Sequence, residues 1–317
     1  MKRAGDPGPR ESSPDHSIMN KPLYRRRGNV PRIILITGPR NGKFPESNCL
    51  LVKDPKTSIL VDSGCGEENV KRLRDKIDAI VYTHIHPDHI TYHHLLEGKP
   101  TYIPVQDQPY QTLEELAKRY APEIWKHWIK YAENVFKLEQ PPTPQHVYES
   151  WQPFKIKNIE ITPIPAQGHT RGHHMLLIDD NLHLSDIDLT RFGPWYGHPE
   201  SSIQNFINDI NLAKKIEAKT TSTSHIPNLY TKNEANKQLE NYLNKLEEQI
   251  TKVLDNMTRN TPLKPADLAG KGIIYRKYLP AMETVMNYFE TQMIHKILEH
   301  LAYHGHLQKT HEGYIKT

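Results

Sequence analysis

His84-Ile85-His86-Pro87-Asp88-His89 is the stretch on which the reading of this chain turns. It sets three imidazoles and a carboxylate within six residues. The run Asp78-Ala79-Ile80-Val81-Tyr82-Thr83 has the look of a buried strand and leads straight into it. The four side chains therefore sit on a loop at a strand's end, where layered α/β folds gather their sites. Three more candidates follow strand-like segments further on: His169 in Gly168-His169, Asp186 in Ser185-Asp186 and His225 in Ser224-His225. In a chain of nineteen histidines a lone His-x-His says little. Four ligand side chains in six residues, with three later partners, describe two neighbouring half-sites for metal. Imidazole with carboxylate suits Zn²⁺ and similar borderline ions, whereas an oxygen cage for Mg²⁺ or Ca²⁺ would not use five histidines.

Outward from the motif, Ile33-Ile34-Leu35-Ile36, Cys49-Leu50-Leu51-Val52 and Ser58-Ile59-Leu60-Val61-Asp62 read as strands, separated by the turn-formers Gly38-Pro39, Asn41-Gly42 and Asp54-Pro55. Residues 111–138 read as helix, with Pro122 opening a second segment, and Trp125, Trp128, Tyr131 and Phe136 share a face suited to core packing. Residues 156–164 and 175–178 return to strand, and 202–216 form a helix with Ser201 or Ser202 as N-cap. The box Thr231-Lys232-Asn233-Glu234 opens a long helix with an apolar stripe, a second helix covers 281–303 and stops at Gly305, and 307–315 has room for a hairpin. The expected organisation is a flexible tail at 1–29, rich in Pro and Arg, a catalytic domain at 30–230 and a small helical, winged-helix-like accessory domain at 231–317.

The His-x-His-x-Asp-His run with its later His, Asp and His resembles the signature of the metallo-β-lactamase-fold hydrolases, over about residues 30–228. That resemblance implies an α/β fold, an αββα sandwich of two mixed sheets with helices outside, here followed by the small mainly helical C-terminal domain. It assigns His84, His86 and His169 to one metal, Asp88, His89 and His225 to a second, and Asp186 to the bridge between them, with Asp88 and Asp186 as catalytic groups. Asp62 matches an aspartate that orients a ligand histidine through its other ring nitrogen. The implied cofactors are two divalent ions, Zn²⁺ first, with Mn²⁺ or Fe²⁺ fitting the same ligands. Two such cations, ~3.5–4 Å apart, trap a water and lower its pKa toward ~7, and the bridging hydroxide attacks a carbonyl or phosphoryl centre.

Departures from the family pattern narrow the choice of branch. His86 is not Glu, which points away from the di-iron oxygen-reducing branch, and Asp186 argues against a true β-lactamase. No Cys-Gly-Arg follows Asp186, which weakens a glyoxalase II assignment, and Pro87 replaces the glycine of the tRNA 3′-processing branch. Ser185 stands where glycine often precedes the bridging aspartate, and Asp188 is a competitor for the bridge.

The expected substrate is a small-molecule ester, thioester or lactone. The alternative is RNA cut by a single-strand endoribonuclease, with Lys271, Arg276-Lys277 and Lys309 meeting phosphates. A third reading, a binding protein that keeps the metal for structure, is disfavoured by the complete ligand set. Arg171, Trp195 and Tyr196 are the candidate substrate contacts, while His173 and His174 are expected behind the ligands or facing solvent. A net charge of +4 permits an anionic substrate without arguing for one. Mean hydropathy is −0.71 and no run is long and apolar enough for a membrane partner. Only Cys49 and Cys65 are present, too few for a disulfide framework, so a reducing, cytoplasmic setting is expected.

Overall fold

The computed structural model describes residues 31–316, so the expected tail at 1–29 lies outside the described residues. Two six-stranded sheets form the centre. In the first, β1 (Arg32–Ile36), β2 (Cys49–Lys53), β3 (Ser58–Val61), β4 (Ala79–Val81), β5 (Thr101–Pro104) and β6 (His146–Tyr148) lie side by side in chain order. The β1–β3 meander is antiparallel, and β3 to β6 run parallel. The second sheet follows the same rule with β7 (Phe154–Ile156), β8 (Ile159–Pro165), β9 (His174–Ile178), β10 (Asn181–His183), β11 (Thr220–Ser222) and β12 (Tyr230–Thr231). Only β10 and β11 are parallel in it.

Side chains alternate across the strands and so divide the interior into layers. Leu50, Val52, Ile59, Val61, Ala79 and Val81 meet Ile159, Ile161, Leu176 and Ile178 in a dry core between the sheets. Their neighbours Cys49, Leu60 and Ile80 face outward, into a second core under the helices. Those helices are α1 (Glu67–Arg74), the short α2 (Pro87–Ile90), α3 (Leu113–Tyr120) and α4 (Trp125–Tyr131). On the far side lie α5 (Ile203–Lys215), α6 (Lys232–Asp255) and α7 (Glu283–Tyr303). The result is the αββα sandwich, with helices outside two facing sheets.

The C-terminal helices close no core of their own. Leu239, Tyr242, Leu246, Met293 and Ile297 pack in one cluster with Ile164, Met175, Leu182 and Leu184 of the second sheet. The boundary near residue 230 marks a change of secondary structure, and the apolar interior runs across it. The capping box Thr231/Glu234 is formed at the start of α6, and the terminal hairpin pairs β13 (Gln308–Lys309) with β14 (Tyr314–Ile315).

Two local expectations need correcting. The single strand read over 156–164 is the hairpin β7–β8, turned at Lys157, which adopts a left-handed φ of 52°. The helix read over 111–138 does open a second segment at Pro122, but that segment ends in a wide π turn at Ala132–Phe136 instead of running on to 138. Trp128 and Phe136 from that region are buried in the core, and Trp128 stacks on Tyr120.

Candidate metal centre

Each candidate ligand stands just past the C-terminal end of a strand. The parallel pair β3–β4 brings Asp62 and the 84–89 loop to one edge of the sandwich. The parallel pair β10–β11 does the same for Asp186 and His225, and the turn after β8 delivers His169. Within the motif, Pro87 sits at the first position of α2, where its missing N–H costs nothing. The helical turn places Asp88 and His89 on a different side from His84 and His86.

The seven side chains converge in two groups. His84, His86, His169 and Asp186 offer ligand atoms all within 4.8 Å of one another, as do Asp88, His89, Asp186 and His225. Asp186 belongs to both, and its two oxygens divide between them. Oδ2 lies 3.2 Å from His169 Nε2 and 3.7 Å from His84 Nε2, while Oδ1 lies 2.9 Å from His89 Nε2 and 3.3 Å from His225 Nε2. Asp88 Oδ2 is 3.4 Å from His225 Nε2. His86 turns Nδ1 toward His169 Nε2 at 2.7 Å. Asp188, the competitor for the bridge, is spent on the backbone N–H of Thr190.

The far side of four of the five rings is held by the protein. His84 Nδ1 meets Thr83 Oγ1 at 3.1 Å, His89 Nδ1 meets Asp62 Oδ2 at 2.8 Å, His169 Nδ1 meets the Trp195 carbonyl at 3.0 Å and His225 Nδ1 meets the Gly42 carbonyl at 2.7 Å. Donation from Nδ1–H to these oxygens leaves the Nε2 lone pair facing inward, the arrangement a metal-ligating histidine needs. Thr83 is the node of this support: its N–H donates to Asp62 Oδ1, and its hydroxyl bonds Asp62 and receives Ser185 Oγ at 2.8 Å. Ser185 thus ties the second sheet to the first.

The charges are what a cation would complete. Nε2 of His84 and His89, and Oδ1 of Asp186, are buried without a hydrogen-bond partner; His89 Nε2 and Asp186 Oδ1 lie close but are not aligned for a bond. Burial, reinforced by neighbouring imidazoles, pushes His84 and His86 well below the usual histidine range and keeps them neutral. Burial also opposes charge on His89 and His225, but Asp186 and the other carboxylates outweigh it and hold both well above that range. Burial likewise opposes ionisation of Asp186, yet His89 and His225 keep its carboxyl well below the ordinary carboxylate range. A ring of unpaired buried donors and acceptors is costly, about 1–3 kcal/mol for each orphaned group. Divalent cations among these atoms would relieve that cost, so the donor set fits such a group.

Asp62, fully buried at the end of β3, stands directly behind His89. Trp195 borders the centre, its ring 5.6 Å from those of both His86 and His169. Arg171 is exposed, and only its backbone contacts Glu200 and Gln167. Tyr196 corrects the expectation of a substrate contact: it is fully buried and its hydroxyl donates to Gln249 Oε1 of α6. Adjacent residues of an extended loop point opposite ways, so with Trp195 toward the metals Tyr196 must face the core. His173 and His174 are both buried, which removes the solvent-facing option, and His173 Nε2 accepts the backbone N–H of Asp186 at 3.0 Å. Sequence reasoning missed Tyr120 and His198. Tyr120 packs on His86, His198 packs on Tyr120, and both are buried. Neither belongs to the ligand motif, and only their contacts reveal them.

A sequence profile described as the metallo-beta-lactamase superfamily matches residues 42–225, which include every ligand above. The chain belongs to the metallo-beta-lactamase superfamily. Solved structures agree on the fold. A metallo-beta-lactamase family protein of Thermus thermophilus superposes with a TM-score of 0.67 at 14% identity, covering 90% of this chain and 98% of that one. A beta-lactamase domain protein from Burkholderia ambifaria gives 0.66 at 16% identity, with 92% of each chain covered. An archaeal metallo-beta-lactamase superfamily protein from Sulfolobus tokodaii gives 0.54 at 19% identity, covering 86% of this chain and 99% of that one. No curated protein matches the chain in sequence. Membership of the metallo-beta-lactamase superfamily points to a metal-dependent hydrolase, and the two His/Asp groups are able to hold divalent metal. No helix among the described residues is long and apolar enough to cross a membrane.

Proposed function

We propose that the protein is a dinuclear metal-dependent hydrolase acting on the carbonyl of a small-molecule ester, thioester or lactone. The observation that carries this reading is the division of Asp186, one oxygen to each histidine group. A carboxylate so placed can bridge two ions, and a single-ion site has no use for it. His84, His86 and His169 would hold one ion, Asp88, His89 and His225 the other, with Zn²⁺ the first candidate and Mn²⁺ or Fe²⁺ compatible. Bound there, the ions supply Lewis acidity and a water acidified toward neutrality.

The remaining work falls to the chain. Neutral His84 and His86 present lone pairs, and Asp62, Thr83 and two backbone carbonyls fix the ring tautomers. Asp88, a member of the second group, would accept a proton from the attacking water. Trp195 and Tyr120 give the first group an apolar wall, suited to excluding bulk water from a reacting carbonyl.

The test joins metal analysis to a parallel screen of esters, thioesters, lactones and single-stranded RNA. Two equivalents of metal with turnover of a carbonyl substrate, abolished by chelator, is the expected result. Activity that survives complete metal removal would defeat the reading, and cleavage of RNA alone would replace it with the endoribonuclease.

A further inference from the structure

Beside the metal centre, across the loop that follows Asp186, lies a second cleft of about 490 Å³ between that loop, α6 and residues 272–277. It is lined by five cations, Arg191, Lys245, Lys252, Arg276 and Lys277, against one carboxylate, Glu248. Lys245 is neutralised by Glu248 at 2.7 Å. The other four have no ion pair among the described residues, and all four are exposed.

This cleft is a built feature. The carboxylate of Glu290, fully buried, accepts the backbone N–H groups of Gly270, Ile274 and Tyr275 and fixes the 270–275 segment. Gln249 pins the opposite side by donating to the Phe192 carbonyl while accepting from Tyr196. Between them Phe192 stacks on Tyr275, centroids 5.6 Å apart and 21° from parallel, with Phe192 37% exposed. Tyr275 in turn accepts Trp195 Nε1–H at 2.8 Å, and Trp195 packs on His86 and His169. One tryptophan therefore separates the basic cleft from the metal ligands.

Resting on the hydrolase reading above, we infer that this cleft binds the phosphate-bearing half of the substrate, a nucleoside-diphosphate-like group whose ester or thioester carbonyl reaches past Trp195 to the metals. Four unpaired cations favour several phosphate oxygens over a single carboxylate. The exposed face of Phe192 offers a stacking platform for a base. The volume suits one such group. An extended RNA strand would need a continuous basic track, and along α6 the lysines alternate with Glu240, Glu247 and Glu248.

The full-length, metal-loaded protein is titrated calorimetrically with ADP, with adenosine, and with a ten-nucleotide single-stranded RNA, then again after chelation. ADP binds, adenosine binds much more weakly, and chelation leaves ADP affinity unchanged, because the cleft holds no metal ligand. Arg276→Glu/Lys277→Glu weakens ADP at least about tenfold, since two charge-assisted contacts become repulsive, whereas Lys53→Glu on β2 does not. Equal ADP affinity in the double variant, or loss of ADP binding on chelation, overturns the inference, the latter because it places ADP at the metals. So does far tighter binding of the RNA. A second arm compares kcat/KM for one acyl thioester with and without a nucleoside-diphosphate leaving group. The preference for the phosphorylated form collapses in the double variant, while turnover of the short thioester persists. Were no ester, thioester or lactone hydrolysed but ADP binding still lost in the variant, the hydrolase reading would fall and the cleft would stand.

Discussion

Asp62 Oδ2 lies 2.8 Å from His89 Nδ1, so a wholly buried carboxylate on the first sheet sets the ring of a ligand candidate on the next loop. The same aspartate accepts the N–H of Thr83, the residue that also supports His84. Asp62→Asn keeps the size and an acceptor for Thr83 but presents a neutral amide to His89. We expect metal affinity at the Asp88/His89/His225 group to fall ~10–100-fold, the range typical for the partner behind a ligand. Competitive titration with a chromophoric chelator measures it, and unchanged affinity would show that Asp62 only supports the fold.

Asp186 is the one side chain shared by both groups. Asp186→Ala should therefore lower the content of both ions, and hydrolysis by orders of magnitude, where His84→Ala should empty chiefly the first group. Elemental analysis of the purified variants separates the two patterns. Loss of a single equivalent in Asp186→Ala would contradict a bridging role.

The sandwich and its ligands were legible for different reasons. Burial on both faces along Leu50–Val52, Ile59–Val61 and Ala79–Val81 is written as continuous runs of apolar residues, so the strands of the first sheet stand out. The seven ligand candidates announced themselves because scarce residue types recur at strand ends. What escaped depended on geometry between distant segments. Lys157 reverses the chain in left-handed φ without a glycine or proline to mark it. The direction of Tyr196 is decided by Gln249, more than fifty residues away. Tyr120 and His198 come to His86 only through packing, and packing leaves no local pattern.

Because Tyr196 bonds Gln249 inside the core, Tyr196→Phe should cost about 1 kcal/mol of stability, the ordinary worth of a hydrogen bond, plus the unsatisfied Gln249 oxygen. It should leave KM unaltered. Denaturant unfolding alongside steady-state kinetics tests both halves, and a raised KM with unchanged stability would return Tyr196 to the substrate pocket.

Gly64 packs its α-carbon against the motif itself. A Cβ there would stand 1.7 Å from the Asp88 carbonyl oxygen and 2.3 Å from Ser47 Oγ. Since the nearer atom is backbone, Gly64→Ala must displace α2 and with it Asp88 and His89. We expect a destabilisation of ~1–3 kcal/mol, as for other overpacked sites, with weaker metal uptake. Wild-type metal content in a folded Gly64→Ala protein would show that the loop yields without moving its ligands.

Asp209 on α5 supports the other flank of the centre, accepting the backbone N–H of Gly168 at 2.7 Å beside His169. Burial raises its carboxyl to about 7, from an ordinary value of 3.8. A carboxyl whose folded pKa is raised binds its proton more tightly when folded, so its contribution is complete below pH ~4 and is lost as pH climbs through 7. Asp209→Asn keeps an acceptor for Gly168 and cannot ionise. The difference in melting temperature between the variant and the wild type should therefore grow in the variant's favour from pH 5 to pH 8 and then level off. Measuring that difference in one buffer series cancels the titration of the shared histidines. A constant offset across the range would mean that Asp209 ionises in the folded protein as easily as in the unfolded chain.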